Sequence, residues 1–282
     1  MLMQRVLTAA FLLAVLLPTM LLSPALFGDV LLVLIAAAGW EWGLLNGLKS
    51  STSLCIGGFI GVLCWESGVV GLYGEDLQLI WAIAGGLWVV GGGLLVRGGV
   101  AGWSSVPRWV RIGGGVLALW VAWLAAMQAR SFGINFLLSV LVLVWAADIG
   151  AYAAGRAFGL RFTKVRLAPQ ISPGKSWEGA WGGMVCVFIV GVLWVVGDRY
   201  AHVAHASLYT EIVHAGWWLL PLAVVFLSAM SVVGDLVESL VKRSAGAKDS
   251  SNLLPGHGGV LDRIDALLPT LPLALFLHSV VA

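Results

Sequence analysis

The sequence predicts an all-α, polytopic integral membrane protein with about nine transmembrane helices. Hydrophobic residues make up 60% of the 282 residues and charged residues only 11%, too few to cover the surface of a soluble protein of this length. The chain also divides into apolar runs that are long enough to cross a bilayer as helices. The composition excludes an intrinsically disordered chain, and the net charge of +2 is so small that we expect no nucleic-acid partner.

Nine apolar runs between charged breaks predict the spans, each with a length of about 17–25 residues. The first run follows Arg5 as the core of a signal peptide would, but it is too long for one and no A-x-A cleavage site follows it. We therefore interpret it as a spanning helix. The nine predicted spans are 6–27, 29–48, 53–73, 78–96, 113–129, 134–154, 178–197, 216–234 and 264–281.

The cationic residues predict the orientation of these spans, because Lys and Arg accumulate in cytoplasmic loops. With nine spans and a cytoplasmic N-terminus, the cytoplasmic side receives all 16 Lys and Arg residues except Arg130 and Arg199. This asymmetry predicts that the N-terminus is cytoplasmic and that the C-terminus lies on the opposite side.

Two predicted cytoplasmic connections are longer than the others, and both lie in the C-terminal half of the chain. Residues 1–130 hold about five predicted helices with short loops. Residues 131–282 hold about four, together with the long loops 155–177 and 235–263. We expect the catalytic region in this C-terminal part, because only these loops have room for a polar site.

The densest polar stretch of the chain runs from residue 235 to residue 265. Asp235 and Glu238 are three residues apart on one helix face, and Lys242 follows Glu238 four residues later. Asp262 and Asp265 repeat the three-residue spacing. Carboxylates of this kind suit Mg²⁺, which binds a few of them together with substrate phosphates, and Lys and Arg side chains suit the phosphates themselves. The stretch predicts phosphate chemistry at a membrane surface.

A glycine-rich turn lies inside the same stretch. Gly256, Gly258 and Gly259 surround His257, and their backbone N–H groups precede a helix predicted to begin near Asp262, so the turn could receive a phosphate. The alternative is a solvated basic loop that only fixes topology, with the aspartates as favourable charges at a helix N-terminus. The many acidic residues favour the phosphate site, because they contribute nothing to orientation and are costly close to lipid.

The residues from Ser239 to Asp265 resemble the signature of the CDP-diacylglycerol synthase (phosphatidate cytidylyltransferase) family. They read S-x-x-K-R-x-x-x-x-K-D, then a hydrophobic-Pro step, then H-G-G-x-x-D-R-x-D. The resemblance implies an integral membrane enzyme that condenses CTP with phosphatidate to form CDP-diacylglycerol and pyrophosphate, with Mg²⁺ as cofactor. It also implies the bacterial cytoplasmic (inner) membrane, with the active site facing the cytoplasm.

Two further stretches resemble the same family. One is 147–156, which contains Asp148 and Tyr152, and the other is 167–179, which contains the string S-P-G-K-S. That string is not a phosphate-binding P-loop, because the first glycine of G-x-x-x-x-G-K-S would fall on Pro169 and no strand precedes it.

The roles of four charged residues stay open at this level. The loop before Leu167 is longer than the family pattern, so Arg161, Lys164 and Arg166 are assigned only to anionic lipid or to the substrate head group, without a choice between them. Glu41 lies inside a predicted span, where an ionisable group is either functional or a helix-packing element.

In the implied reaction, a phosphate oxygen of phosphatidate attacks the α-phosphorus of CTP and pyrophosphate leaves. This nucleophile is already anionic, so the site needs cations rather than a general base. The predicted catalytic residues are Asp235, Lys248, Asp249, His257, Asp262 and Arg263. The predicted substrate-binding residues are Asp148, Tyr152, Ser172, Lys175, Ser176, Ser239, Lys242, Arg243, Gly258 and Gly259. The predicted Mg²⁺ ligands are Asp235, Asp249, Asp262 and Asp265, with Asp235 and Asp262 as the leading pair.

Several alternatives remain open from the sequence. His257 either donates to the departing pyrophosphate or only orients the glycine-rich turn, and a second, monovalent cation beside Mg²⁺ is neither required nor excluded. A CTP-dependent lipid kinase or a transporter of phosphorylated lipid would also need a polar membrane site. The expected partners are CTP, phosphatidate and membrane lipid. The pairs Gly57-x-x-x-Gly61 and Gly179-x-x-x-Gly183 pack helices within one chain or in a homodimer, and we favour the first.

Overall fold

The computed structural model describes residues 2–281, except for the side chains of Leu2, Arg5 and Val6. Its elements are helical because a backbone surrounded by lipid has to satisfy its hydrogen bonds internally. Across residues 2–281 the β pairing is limited to two isolated bridges, Ala168–Ser172 and Leu254–Gly258. The helices are α1 (Leu2–Leu22), α2 (Pro24–Leu45), α3 (Ser50–Val69), α4 (Gln78–Leu87), α5 (Gly93–Ser105), α6 (Arg108–Phe132), α7 (Ile134–Phe158), α8 (Trp177–Ala201), α9 (Leu208–Ala215), α10 (Leu219–Ser244), α11 (Leu261–Ile264) and α12 (Leu267–Val281).

The predicted all-α membrane fold is confirmed. Within the described residues, 8 helices are long and apolar enough to cross a membrane. Two of them combine neighbouring elements, since a π-helical turn, Trp88–Gly92, continues α4 into α5, and α11 continues into α12. The 8 candidates are Pro24–Leu45, Ser50–Val69, Gln78–Ser105, Arg108–Phe132, Ile134–Phe158, Trp177–Ala201, Leu219–Ser244 and Leu261–Val281.

The first predicted span, 6–27, was placed wrongly at its C-terminal boundary. The apolar part of α1 is shorter, Leu7–Leu22, because the helix ends at a local stop signal. Ser23 caps the N-terminus of α2 through its hydroxyl, and Pro24 occupies the first turn, where its missing N–H costs nothing. The apolar run therefore continues across the junction between two helices, which hydrophobicity alone does not reveal.

Small residues bring neighbouring helices into backbone contact. A Cβ atom added at Gly179 would lie 2.9 Å from the carbonyl oxygen of Ala151, and one at Gly183 would lie 2.7 Å from that of Ala147, so α7 and α8 pack closely. Gly57 approaches the carbonyl oxygen of Ala36 in the same way between α3 and α2. Both glycine pairs pack helices within one chain, as we expected.

The helices place the two long loops at the same end of the bundle. Lys175, just before α8, forms an ion pair with Asp235 near the end of α10, with 2.6 Å between Nζ and Oδ2. The other end is closed by different contacts, including a hydrogen bond of 2.9 Å from Asn135 at the start of α7 to Asp198 near the end of α8. The loops therefore meet as the predicted orientation requires, while the cytoplasmic assignment of that end stays a prediction.

Candidate active site

A buried carboxylate on α2 holds the loop that connects α10 to α11. Glu41 is 0% exposed. Its Oε1 accepts hydrogen bonds from Ser251 Oγ at 2.6 Å and Val260 N at 3.0 Å, and its Oε2 accepts from Leu261 N at 2.7 Å and Ser250 Oγ at 3.2 Å. These contacts give Glu41 a loop-holding role, which is neither of the simple alternatives that the sequence left open.

Asp262 also holds the loop that connects α10 to α11. Its Oδ1 pairs with Lys242 Nζ at 2.5 Å, and Lys242 also pairs with Glu238 Oε2 at 2.5 Å. Its Oδ2 accepts hydrogen bonds from Ser250 N at 2.8 Å, Ser250 Oγ at 2.7 Å and Gly259 N at 2.8 Å. The Asp262 side chain is only 4% exposed. Both carboxylate oxygens are thus engaged inside the protein, and the role of Asp262 as a leading metal ligand stays a prediction.

The glycine-rich turn is folded against these two carboxylates. Gly258 has a φ of +81°, a conformation that favours glycine, and a Cβ added at Gly259 would overlap Ser250 Oγ and Glu41 Oε1. The N–H of Gly259 donates to Asp262 at 2.8 Å, and its role in binding a substrate phosphate stays a prediction. Glycine at 259 is therefore required by close packing against polar groups.

Gly259→Ala is expected to loosen this loop. The added methyl group has no space between Glu41 and Ser250, so we expect a loss of about 1–3 kcal/mol in the free energy of unfolding, as for other overpacked sites. Amide hydrogen exchange of residues 249–261 should become faster. Gly113→Ala in α6 is the matched control, because no atom lies within 4 Å of its added Cβ. Unchanged exchange in Gly259→Ala would show that the loop does not depend on this contact.

A cavity of about 490 Å³ lies between α7, α8 and α10. Its polar lining includes Asp148, Tyr152, Lys175, Ser176 and Asp235, among many Ala and Gly residues. Asp235 is 32% exposed, and besides Lys175 it accepts a hydrogen bond of 3.2 Å from Ser239. The hydroxyl of Ser176 caps α8 through the N–H of Gly179 at 3.1 Å. This cavity therefore offers an accessible carboxylate beside an ammonium group.

A second cavity, of about 550 Å³, lies in the loop between α10 and α11. Its lining includes the predicted residues Lys248, Asp249, His257, Gly258 and Arg263. The ring Nδ1 of His257 is buried and makes no hydrogen bond to any part of the chain that the structure describes. Its backbone N–H instead donates to Leu254 O at 2.8 Å and shapes the turn. A polar ligand in this cavity would find the cations Lys248 and Arg263 beside the imidazole of His257.

The predicted residues thus fall into three groups. The first cavity takes Asp148, Tyr152, Lys175, Ser176 and Asp235, and the second takes Lys248, Asp249, His257, Gly258 and Arg263. Lys242, Gly259 and Asp262 form the hydrogen-bonded layer that holds the loop. The remaining side chains line neither cavity: Ser172 is half-buried in the loop before α8, Arg243 is exposed near the end of α10, Ser239 contacts Asp235, and Asp265 accepts from the N–H of Ala266.

The predicted Mg²⁺ ligands have different surroundings in this structure, and their metal-binding role stays a prediction. Asp235 lines the first cavity, Asp249 lines the second, and Asp262 is engaged by Lys242 and the loop. Among the described residues no group of three or more His, Cys, Asp and Glu side chains is arranged to hold one metal ion. Asp148 and Asp235 do share one cavity and interact as like charges, so this pair retains hard oxygen donors that suit Mg²⁺.

Sequence reasoning missed three residues that organise the site. Ser250 and Ser251 donate to the two loop-holding carboxylates, and Glu178 accepts hydrogen bonds from Phe162 N, Thr163 N and Thr163 Oγ1 at 2.7–2.9 Å, which fixes the loop before α8. The only signal for Glu178 was its position two residues after the capping Ser176. An acidic residue there usually stabilises the helix by interacting with the helix dipole.

Comparisons with known proteins show the family of this chain. The model of the cytidylyltransferase family matches residues 3–281. The phosphatidate cytidylyltransferase of Pseudomonas aeruginosa is 36% identical over 280 residues, which cover 96% of this chain and 95% of the relative. That of Haemophilus influenzae is 48% identical over 140 residues, covering 50% of this chain and 44% of the relative, and that of Staphylococcus epidermidis is 40% identical over 146 residues, covering 52% and 50%. The chain therefore belongs to the cytidylyltransferase family.

Proposed function

We propose that this protein condenses CTP with phosphatidate to form CDP-diacylglycerol and pyrophosphate in phospholipid biosynthesis. The observation that carries the proposal is the segment 239–265, whose signature residues fold onto Glu41 and Asp262 and line a cationic cavity at the end of a membrane helix bundle. The names of the bacterial relatives support the same substrates. We also propose that this end of the bundle faces the cytoplasm of a bacterial inner membrane, since nearly all Lys and Arg residues are predicted on that side.

The two cavities suit the two substrates. The cavity between α7, α8 and α10 opens among membrane helices and has small apolar residues on its walls, so we assign it to the phosphate end of phosphatidate. The cavity in the loop has Lys248, Arg263 and His257, so we assign it to the phosphates of CTP.

The reaction forms a bond from a phosphatidate oxygen to the α-phosphorus of CTP and breaks the bond to pyrophosphate. Lys175 would orient the lipid phosphate, and Lys248 with Arg263 would neutralise the charge on the leaving group. The uncommitted Nδ1 of His257 favours a hydrogen bond to a phosphate oxygen, while its backbone N–H serves the turn. Mg²⁺, held by Asp235 and Asp148, would supply further charge neutralisation on the phosphates. A second, monovalent cation has no assigned ligands.

The purified protein in detergent is expected to release pyrophosphate from CTP only when phosphatidate and Mg²⁺ are both present. The lipid product should be CDP-diacylglycerol, identified by mass spectrometry. Replacing phosphatidate by diacylglycerol is the control, because a lipid lacking the phosphate has no anionic oxygen to attack CTP. Release of CDP instead of pyrophosphate would indicate a CTP-dependent lipid kinase, and uptake without a covalent product would indicate a transporter.

A further inference from the structure

The segment between α7 and α8 carries an unbalanced positive charge. From Asp148 to Glu178 the sequence contains no other acidic residue. Lys175 is paired with Asp235, but the remaining cations are exposed and form no ion pair with any carboxylate of the described chain. These unpaired cations are Arg156, Arg161, Lys164 and Arg166. The charge has no internal counterpart, so it is available to an external anion.

Large apolar side chains are exposed beside these cations. Phe162 is 74% exposed and Val165 is 65% exposed, and Arg161 lies over the ring of Phe158 at 6.0 Å. Phe158 is the last residue of α7, so the segment begins where a candidate membrane span ends. Aromatic and cationic side chains are stabilised together at this depth of a bilayer, where rings meet the acyl boundary and cations meet head groups.

The segment is held in a defined conformation. Glu178 accepts hydrogen bonds from the backbone N–H groups of Phe162 and Thr163 at 2.9 and 2.7 Å. Arg166 donates through Nη1 to the carbonyl oxygen of Pro173, and Leu167 N donates to Lys175 O at 3.1 Å. The exposure of Phe162 and Val165 therefore belongs to an anchored surface.

We infer that residues 158–166, here named the basic loop, form a binding surface for the head groups of anionic phospholipids in the surrounding bilayer. The occupant is lipid rather than a soluble anion, because the cations are interleaved with exposed apolar side chains at the end of a span. Arg156 and Leu167, on either side of the basic loop, line the first cavity. An anionic lipid bound to the basic loop would therefore lie beside the cavity that we assign to phosphatidate. Only this relation to phosphatidate rests on the proposed function.

The experiment uses the full chain in nanodiscs with photoactivatable phosphatidylglycerol or phosphatidylcholine, and maps the crosslinks by mass spectrometry. Labelling of residues 158–166 is expected to be at least about fivefold higher with phosphatidylglycerol, the preference that a single cation near an anionic surface provides. The triple variant Arg161→Gln, Lys164→Gln, Arg166→Gln should label equally with both lipids. The double variant Arg97→Gln, Arg108→Gln, which neutralises exposed cations on α5 and α6, should keep the preference.

Equal labelling by both lipids in the unmodified protein would overturn the inference, and so would a preference that survives in the triple variant. Loss of the preference on adding inorganic phosphate would assign the surface to a soluble anion instead. An unchanged melting temperature shows that the triple variant is folded. The labelling requires no turnover, so its result is independent of whether the protein releases pyrophosphate. The triple variant should still release pyrophosphate in detergent at saturating phosphatidate.

Discussion

Asp262→Asn is expected to release pyrophosphate at least about 100-fold more slowly than the unmodified protein. The amide removes the negative charge opposite Lys242 Nζ, and its NH₂ group then faces either that ammonium or the N–H groups of Ser250 and Gly259. Hydrogen bonds to charged groups contribute about 1.5–3 kcal/mol each, so two lost bonds account for a 100-fold effect. The measurement is the initial rate of pyrophosphate release at saturating CTP and phosphatidate.

Two further variants separate this explanation from general damage. Asp29→Asn is the matched control, because Asp29 is exposed on α2, and it should leave the rate unchanged. Ser250→Ala removes one hydroxyl from the loop and should lower the rate about tenfold, as expected for one hydrogen bond. Raising the Mg²⁺ concentration should not rescue Asp262→Asn. Rescue would support the predicted role of Asp262 as a metal ligand, and near-normal turnover would show that the reaction does not need Asp262.

Glu41→Gln is expected to raise the KM for CTP at least about tenfold and to change the KM for phosphatidate little. The amide nitrogen of Gln cannot accept from Val260 N or Leu261 N, so one of these buried donors loses its partner at a cost of about 1–3 kcal/mol. The loop that carries Lys248 and His257 would then lose its position, while the cavity between α7, α8 and α10 would not. Steady-state kinetics with each substrate varied in turn measure the difference.

Glu66→Gln is the control for this variant, because Glu66 is an exposed glutamate on the neighbouring helix α3. It should change neither KM. An equal rise in both KM values for Glu41→Gln would mean that the substitution disturbs the bundle as a whole, and no change in either would remove Glu41 as a positioning residue.

The sequence was sufficient to predict most of the helices, because they depend on local patterns. Apolar runs predicted eight candidate spans that the structure contains, and the spacing of Glu238 and Lys242 predicted a shared helix face that is seen as an ion pair. The run 6–27 was misplaced because the capping Ser23 and Pro24 interrupt the helix without interrupting the apolar character. Local patterns therefore gave the elements but not every boundary.

The partners of the site carboxylates could not be predicted, because they depend on contacts far apart in the chain. Asp262 and Asp235 have similar surroundings in the sequence, but Asp262 accepts from the N–H groups of a folded loop, whereas Asp235 pairs with Lys175. Glu41 is separated from Ser250 by 209 residues, and no spacing rule links positions so distant. The positions of such groups follow from the packing of α2 against the loop, which periodicity does not report.

The anchoring of the loop by Glu41 also sets an order for biosynthesis. Glu41 is synthesised with α2, 209–220 residues before Ser250, Ser251, Val260 and Leu261. At a translation rate of roughly 5–20 residues per second, the ribosome needs on the order of 10–40 s to reach them. In that interval the nascent chain has to keep this carboxylate hydrated or protonated at the edge of the membrane. The contacts that position this loop can therefore form only after residue 261 has been synthesised.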